Sequence, residues 1–159
     1  MSYMSSVTDV IEGLAAAVEA ARGVDLGAMT AAERGAFLGA LEAQAARFGA
    51  AQVALLDAVD RGGFHHCDGM RNARTHLRYH GHLSYAEASA RSRLQRALRD
   101  LDEVRAAYEA GEIGTCQARR FARTWANPRV RDALVSSQDV LLAVAVAEHS
   151  SPGHPARQS

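Results

Sequence analysis

HLRYHGHLSYAEASARSRLQR, residues 76–96, contains the pattern that decides the fold of this chain. Within it, Ser84 and Glu87 have the spacing of a capping box at the start of a helix. Gly81 lies where a preceding helix, about residues 70–80, would end. After the capping box, alanines and leucines share one helical arc and arginines occupy the remainder. The stretch therefore predicts a helix, a short turn and an arginine-faced helix.

The same helical signals continue through the rest of the chain. About one residue in five is alanine, and all three prolines lie at position 128 or later, which favours helix over sheet. No segment has the pattern of a strand. The sequence predicts an all-α helical bundle with a long N-terminal helix and two helix-turn-helix-like hairpins. The further predicted helices span residues 6–22, 30–60, 102–110, 115–126 (after a turn at 111–114) and 137–149, with a restart of the chain at Pro128.

Length and composition suit one helical domain with short extensions. The chain has 159 residues, of which 48% are apolar, enough for a core. We expect residues 1–29 to form an N-terminal helix and linker, residues 30–150 a helical domain, and residues 151–159 a disordered tail.

Three absences indicate a cytoplasmic protein. The longest apolar run, VLLAVAVA at 140–147, is too short to cross a bilayer. The N-terminus lacks the pattern of a secretion signal. Cys67 and Cys116 form no CxxC pair and are interpreted as free thiols in a reducing compartment. No membrane partner is predicted.

The long helix of residues 30–60 contains a heptad pattern within residues 38–59. Its members are spaced alternately by three and four residues, which is the seam of a coiled coil. One interpretation is that this helix packs on its own domain. The other is a homodimer through residues 38–59. The seam comprises Leu38, Leu41, Ala45, Phe48, Gln52, Leu55 and Val59.

Charge is segregated along the chain although the net charge is zero. Residues 1–60 carry three Arg and eight acids, a balance of −5, and residues 100–118 balance at −4. Residues 61–99 balance at +6, with eight Arg and two acids, and residues 119–131 at +5 with no acid. Every basic residue is Arg, which suits bidentate phosphate contacts, although a GC-rich genome would also favour it.

The arginines lie on the second helix of each predicted hairpin, on the face away from the apolar stripe. That is the layout of a helix-turn-helix reader of DNA. Alternatively, the faces are ordinary solvated surfaces, or the acidic segments neutralise them within the molecule. Under the DNA interpretation the expected contacts are Arg91, Arg96, Arg99, Arg119, Arg120 and Arg123.

His76 and His80 are the candidates for metal ligands, because a spacing of four places both on one helical face. His65, His66, Cys67 and His82 lie nearby in sequence. No carboxylate or second CxxC completes a recognisable template, and a hydrogen-bonded structural pair has the same spacing. We therefore interpret the histidines as structural and predict no metal and no cofactor.

Catalytic motifs are absent from the sequence. There is no GxSxG nucleophile motif and no GxxxxGK phosphate loop. The carboxylates at Asp100, Asp102 and Glu103 form a solvated charge run. We predict a chain without catalytic residues of its own.

The segment DGMRNARTHLRYHGHLSYAEASARSRLQRALRDLDEVRAAYEAGEIGTCQARRFART, residues 68–124, resembles the actinobacterial family known as domain of unknown function 222, or the 13E12 repeat. The similarity extends over about residues 35–150. Its skeleton is Asp68-Gly69, Leu77, Leu83-Ser84, AEASA, Leu101 and AAYEAGEIGTCQA.

The resemblance implies a DNA-related role, because members commonly place this helical region before a C-terminal HNH nuclease domain. After position 126 only His149 and His154 remain, without strands to carry an HNH site. We therefore expect a stand-alone or truncated helical module without nuclease residues, most consistent with DNA binding. The alternatives are an interaction or regulatory module for a nuclease partner, and a fragment of an HNH endonuclease, with the metal-dependent nuclease itself ranked last.

Overall fold

The computed structural model describes the backbone of residues 2–150, and in that range all side chains except those of residues 2, 3, 5 and 148–150. The described chain is helical and contains no β-strand, which confirms the all-α prediction. The predicted tail, 151–159, lies outside it. In order, the elements are α1 (Ser2–Arg22), a 3-10 helix (Leu26–Ala28), α2 (Ala31–Gly62), α3 (Phe64–Cys67), α4 (Ala73–His80), α5 (Tyr85–Ala97), α6 (Asp102–Ala110), α7 (Thr115–Trp125), α8 (Arg131–Ser136) and α9 (Gln138–Ser150).

Helix boundaries agree with the predicted ones where a local signal marks them. The predicted start at Pro128 is wrong, since α8 begins at Arg131. The Asn127 side chain accepts a hydrogen bond from the Arg129 backbone N–H at 3.1 Å. The Asn127 carbonyl accepts another from the Val130 N–H at 3.2 Å. Residues 127–130 therefore form a turn.

The chain divides into two compact units, one up to Gly39 and one from Ala40 onward. The division falls inside α2, ten residues beyond the predicted boundary at 29/30. Within the first unit, the start of α2 is held by the predicted capping box. The Thr30 N–H donates to the Glu33 carboxylate at 2.7 Å, and the Glu33 N–H donates to the Thr30 hydroxyl at 3.3 Å.

The core of the second unit lies among α2, α5, α6, α7 and α8. Its largest fully buried side chains are Tyr108, Leu94, Leu101, Ile113 and Val104. Alanines in the helices, and Gly111 in a turn, let the helices approach closely around these side chains. Alanines in this core are Ala46 and Ala50 of α2, Ala97 of α5, Ala107 of α6, and Ala118 and Ala122 of α7. The tight α6–α7 turn depends on Gly111, whose φ is +78°.

The long helix packs on its own unit, as one interpretation predicted, but not through the predicted seam. Ala46, Ala50, Val53 and Leu56 are buried, and they occupy a different side of α2 from the seam. The large apolar residues of the seam before Val59 remain on the surface, with exposed fractions of 49% for Leu38, 42% for Leu41, 46% for Phe48 and 67% for Leu55. Gln52 and Val59 are half-buried.

The turn between α4 and α5 differs from the prediction in one residue. Gly81 follows α4 as expected, but its φ is −89°. The left-handed residue is His82, with a φ of 50°. The backbone N–H groups of Leu83 and His82 donate to the carbonyls of Arg78 and Tyr79, at 3.1 and 3.4 Å, which is the Schellman pattern with a histidine in the usual glycine position. A Cβ at Gly81 would lie 2.8 Å from the Leu77 carbonyl oxygen, so glycine is required there for close approach.

In the described part of the chain, no helix combines the length and the apolar character needed to cross a lipid bilayer.

Candidate functional site

Arg99, one of the predicted DNA contacts, lies in an ion-pair cluster between α2 and the end of α5. Its guanidinium donates to Asp57 at 2.7 Å and to Asp60 at 2.8 Å. Gln95, only 3% exposed, donates to the same two carboxylates at 2.9 and 3.1 Å. Arg61 approaches Asp57 from the other side at 2.7 Å. We call this group the Asp57–Asp60–Arg99 cluster.

The cluster holds both carboxylates in their charged form. Partial burial pushes the pKa of Asp57 upward, but hydrogen bonds from Gln95 and Arg99, with the charges of Arg99 and Arg61, outweigh it and lower the pKa below its ordinary value. The pKa of Asp60 is lowered in the same way, against the same effect of burial. Arg99 is therefore engaged within the molecule.

Arg91 and Arg119, two further predicted contacts, share the single carboxylate of Glu87. The Arg91 Nε atom lies 2.8 Å from Glu87, and Arg119 of α7 forms a short hydrogen bond with the same oxygen. The hydrogen bond from Arg91 and that from Arg119 lower the pKa of Glu87, against the opposing effect of burial. The Ser84 capping box is therefore only half formed. The Glu87 N–H donates to Ser84 Oγ at 3.1 Å, while the Glu87 carboxylate accepts hydrogen bonds from the two arginines.

The other three predicted contacts are exposed on the surface. Arg96 is exposed and donates from Nε to the Ser92 carbonyl at 3.2 Å. Arg120 and Arg123 are exposed on α7. Among the described residues, none of the three forms an ion pair with a carboxylate, in contrast to Arg91, Arg99 and Arg119. The prediction that all six present free charge therefore requires revision, because carboxylates engage half of them, from four residues away for Arg91 and from distant parts of the chain for Arg99 and Arg119.

The three helices that carry most of these arginines pack side by side, with α5 in contact with both α4 and α7. We call α4, α5 and α7 the arginine-rich layer. It contains eight arginines and one acid, Glu87, a balance of +7. Since one carboxylate neutralises at most one of the two arginines it binds, the layer remains strongly positive. Its arginines are Arg74, Arg78, Arg91, Arg93, Arg96, Arg119, Arg120 and Arg123.

The candidate metal ligands His76 and His80 lie one turn apart on α4, with ring centroids 4.4 Å apart. The structure brings a third residue to them that sequence reasoning missed. One carboxylate oxygen of Asp68 lies 3.1 Å from His76 Nδ1 and 3.6 Å from His80 Nε2. The only signal in the sequence is the position of Asp68 in a glycine turn, four residues before the N-cap of α4.

Two clefts beside α2 are small compared with typical small-molecule sites. They hold about 110 and 150 Å³, below the roughly 300–1,000 Å³ of typical small-molecule sites. The first is lined in part by Asp57, Gln95 and Arg99, and the second by residues around Gly49 and Tyr108. Both lie over the interfaces that α2 makes with its own unit.

Comparison of the chain with models of protein families, with curated proteins and with solved structures finds no match in any of the three.

Proposed function

We propose that this chain is a non-catalytic helical module that binds double-stranded DNA through the arginine-rich layer. The observation that carries the proposal is the balance of +7 across three helices that contact one another. A surface that serves only solubility normally mixes charges of both signs. Guanidinium groups bind phosphate oxygens in bidentate geometry, so a dense layer of them fits a polyanion.

Within this layer we assign the direct contacts to Arg96, Arg120 and Arg123, with Arg93 as an additional contact. These arginines have no carboxylate partner among the described residues, so no internal ion pair must break before they reach a phosphate. Arg91 and Arg119 contribute positive potential and connect α5 to α7 through Glu87. Arg99 belongs to the fold of the second unit instead.

The helix connections also support the proposal. The α4–α5 and α6–α7 pairs are each joined by a short turn containing glycine, as in helix-turn-helix proteins. The resemblance of residues 68–124 to the 13E12 repeat family implies a DNA-related role as well. We extend the proposal to membership of that family and to a cytoplasmic location, where the exposed thiols of Cys67 and Cys116 would remain reduced.

Replacing Arg120 and Arg123 together with alanine is expected to weaken binding to a short duplex about tenfold or more. It should also reduce the slope of log affinity against log salt by roughly 2, since about 0.9 counterions are released per phosphate contact. Gel shifts or fluorescence anisotropy at several salt concentrations measure both quantities. Arg22→Ala, which removes an exposed arginine paired with Glu19 in α1, is the matched control and should change neither.

Two outcomes contradict the proposal. One is that the parent chain fails to bind duplex DNA at low salt. The other is that the double variant, with an unchanged circular dichroism spectrum and thermal unfolding, binds as tightly as the parent. Either result would favour the alternative of an interaction module.

A second candidate function, self-association, is favoured by the exposed seam on α2. We propose that Leu41, Phe48 and Leu55, all in the second unit, pack against the same residues of a second copy. Heptad spacing is self-complementary, because the knobs of one helix fit the holes of an identical one. Large apolar side chains in such a row are ordinarily covered in solution.

Leu41→Glu combined with Leu55→Glu is expected to convert a concentration-dependent dimer into a monomer, because charges on the seam would have to be buried. Sedimentation or light scattering over a range of concentrations measures the mass. Ala54→Glu, at an exposed position of α2 that lies about 100° or more around the helix from the three seam leucine and phenylalanine side chains, is the control and should still dimerise. A parent chain that stays at its monomer mass of 17.0 kDa at every concentration would rule the dimer out.

A further inference from the structure

The Asp68–His76–His80 cluster has a geometry that the DNA-binding proposal does not use. One ligand-type atom from each residue lies within 4.8 Å of the others. Asp68 comes from the turn after α3, and both histidines come from α4. Three potential metal-ligand atoms, from two adjacent elements, therefore lie close to one another.

Backbone interactions hold these residues in position. Gly69 adopts a φ of +68° directly after Asp68, and the Met70 N–H donates to the His65 carbonyl at 2.9 Å. At the start of α4, the Asn72 side chain accepts from the Thr75 N–H at 2.9 Å. The backbone of the turn and of the helix is thus held by interactions that do not involve the three side chains.

The Nδ1 atom of His76 has an unusual environment. The atom is buried and has no hydrogen-bond partner among the described groups, although it lies 3.1 Å from an oxygen of Asp68. At that distance the angle, not the separation, excludes an N–H···O bond. Two electron-rich atoms this close are stabilised when a positive charge lies between them.

The two separations from the Asp68 oxygen are close to those between neighbouring ligands of a metal ion with short bonds. A tetrahedral ion with bonds of about 2.0–2.2 Å to nitrogen and oxygen sets neighbouring ligand atoms about 3.3–3.5 Å apart. The two distances from the Asp68 oxygen, 3.1 and 3.6 Å, lie on either side of that range. Two imidazoles and one carboxylate favour zinc and similar transition metals over Mg²⁺ or Ca²⁺, which prefer all-oxygen sites.

We propose that Asp68, His76 and His80 form a binding site for a divalent transition-metal ion of the zinc class. The side chains of Asp68 and His80 are 47% and 53% exposed, so the outer side of the site is open to a water molecule as the fourth ligand. A bound ion would join the α3–α4 turn to both turns of α4 and stabilise the folded state, since it binds that state preferentially.

Titration with Zn²⁺ in a calorimeter, and with Co²⁺ followed by its visible absorption, tests the site. The parent chain is expected to bind one ion and to unfold at a higher temperature with Zn²⁺ than in chelator. His80→Gln and Asp68→Asn should each weaken binding by at least about tenfold, because each removes a ligand. Both positions are about half exposed, so both variants should fold. His66→Gln, an exposed histidine near the cluster, is the matched control and should bind as the parent does.

Three results would overturn the proposal. The first is absence of saturable binding by the parent chain. The second is undiminished binding by Asp68→Asn, which would reveal only a pair of histidines on a helix. The third is an equal loss in His66→Gln, which would place the ion elsewhere in the histidine-rich segment. DNA binding is measured on the same samples in chelator, so failure of the metal site is distinguishable from failure of the arginine-rich layer.

Discussion

Gly111→Ala is expected to lower the free energy of unfolding by about 3 kcal/mol. Gly111 adopts a φ of +78° in the α6–α7 turn, where an alanine would cost about 1 kcal/mol from backbone strain alone. In addition, its Cβ would lie 2.7 Å from the carbonyl oxygen of Ala43 in α2. A backbone carbonyl within a helix cannot move aside as the end of a side chain can, so α2 and the turn must separate. That separation would disturb the core around Tyr108 and Ile113.

Gly69→Ala separates the two contributions. Gly69 has a φ of +68°, yet a Cβ there would meet no atom within 4 Å. We expect this variant to lose only the backbone part, about 1 kcal/mol. Urea unfolding followed by circular dichroism, in chelator to remove any metal effect, measures both. Equal losses in the two variants would show that the close approach to Ala43 does not exist.

Arg99→Met is expected to cost about 2 kcal/mol at neutral pH, because it leaves Asp57 and Asp60 without their principal cation. This value is below that for a fully buried pair, since the Arg99 side chain is 34% exposed. The variant is also expected to change the pH dependence. A carboxylate whose pKa is lowered on folding contributes stability above its unfolded pKa and loses it as the pH falls through the folded value.

Asp57 and Asp60 both have a pKa below the ordinary 3.8 in the folded chain. The parent should therefore lose this stability as the pH falls from about 5 toward and below 3.8, while Arg99→Met has less to lose. The difference between the two should shrink as the pH falls. Denaturant unfolding at a series of pH values measures it. Arg22→Met, at an exposed pair with Glu19, should cost less than about 1 kcal/mol. A gap between parent and Arg99→Met that stays constant down to low pH would contradict the role of the cluster.

Local signals in the sequence predicted most of the helices, because the interactions that begin and end a helix join residues only a few positions apart. The Thr30–Glu33 capping box and the glycine turn at 111–114 are of this kind. Local prediction failed at two places, the start of α8 and the turn after α4. The side chain and carbonyl of Asn127 accept the N–H groups of Arg129 and Val130, so a turn precedes α8. After α4, Gly81 lies against the Leu77 carbonyl and the next residue, His82, takes the left-handed position.

Amphipathic spacing also placed the arginines on the faces of α5 and α7, but it could not determine which of them remain free. The partners of Arg99 lie 42 and 39 residues away, and Arg119 reaches Glu87 across 32 residues. The burial of Ala46 and Val53 on the inner side of α2, instead of the heptad seam, likewise depends on residues distant in sequence. Sequence periodicity determines which residues share a face of a helix. Only tertiary packing decides which face turns inward and which charges meet, because these depend on helices that approach from distant parts of the chain.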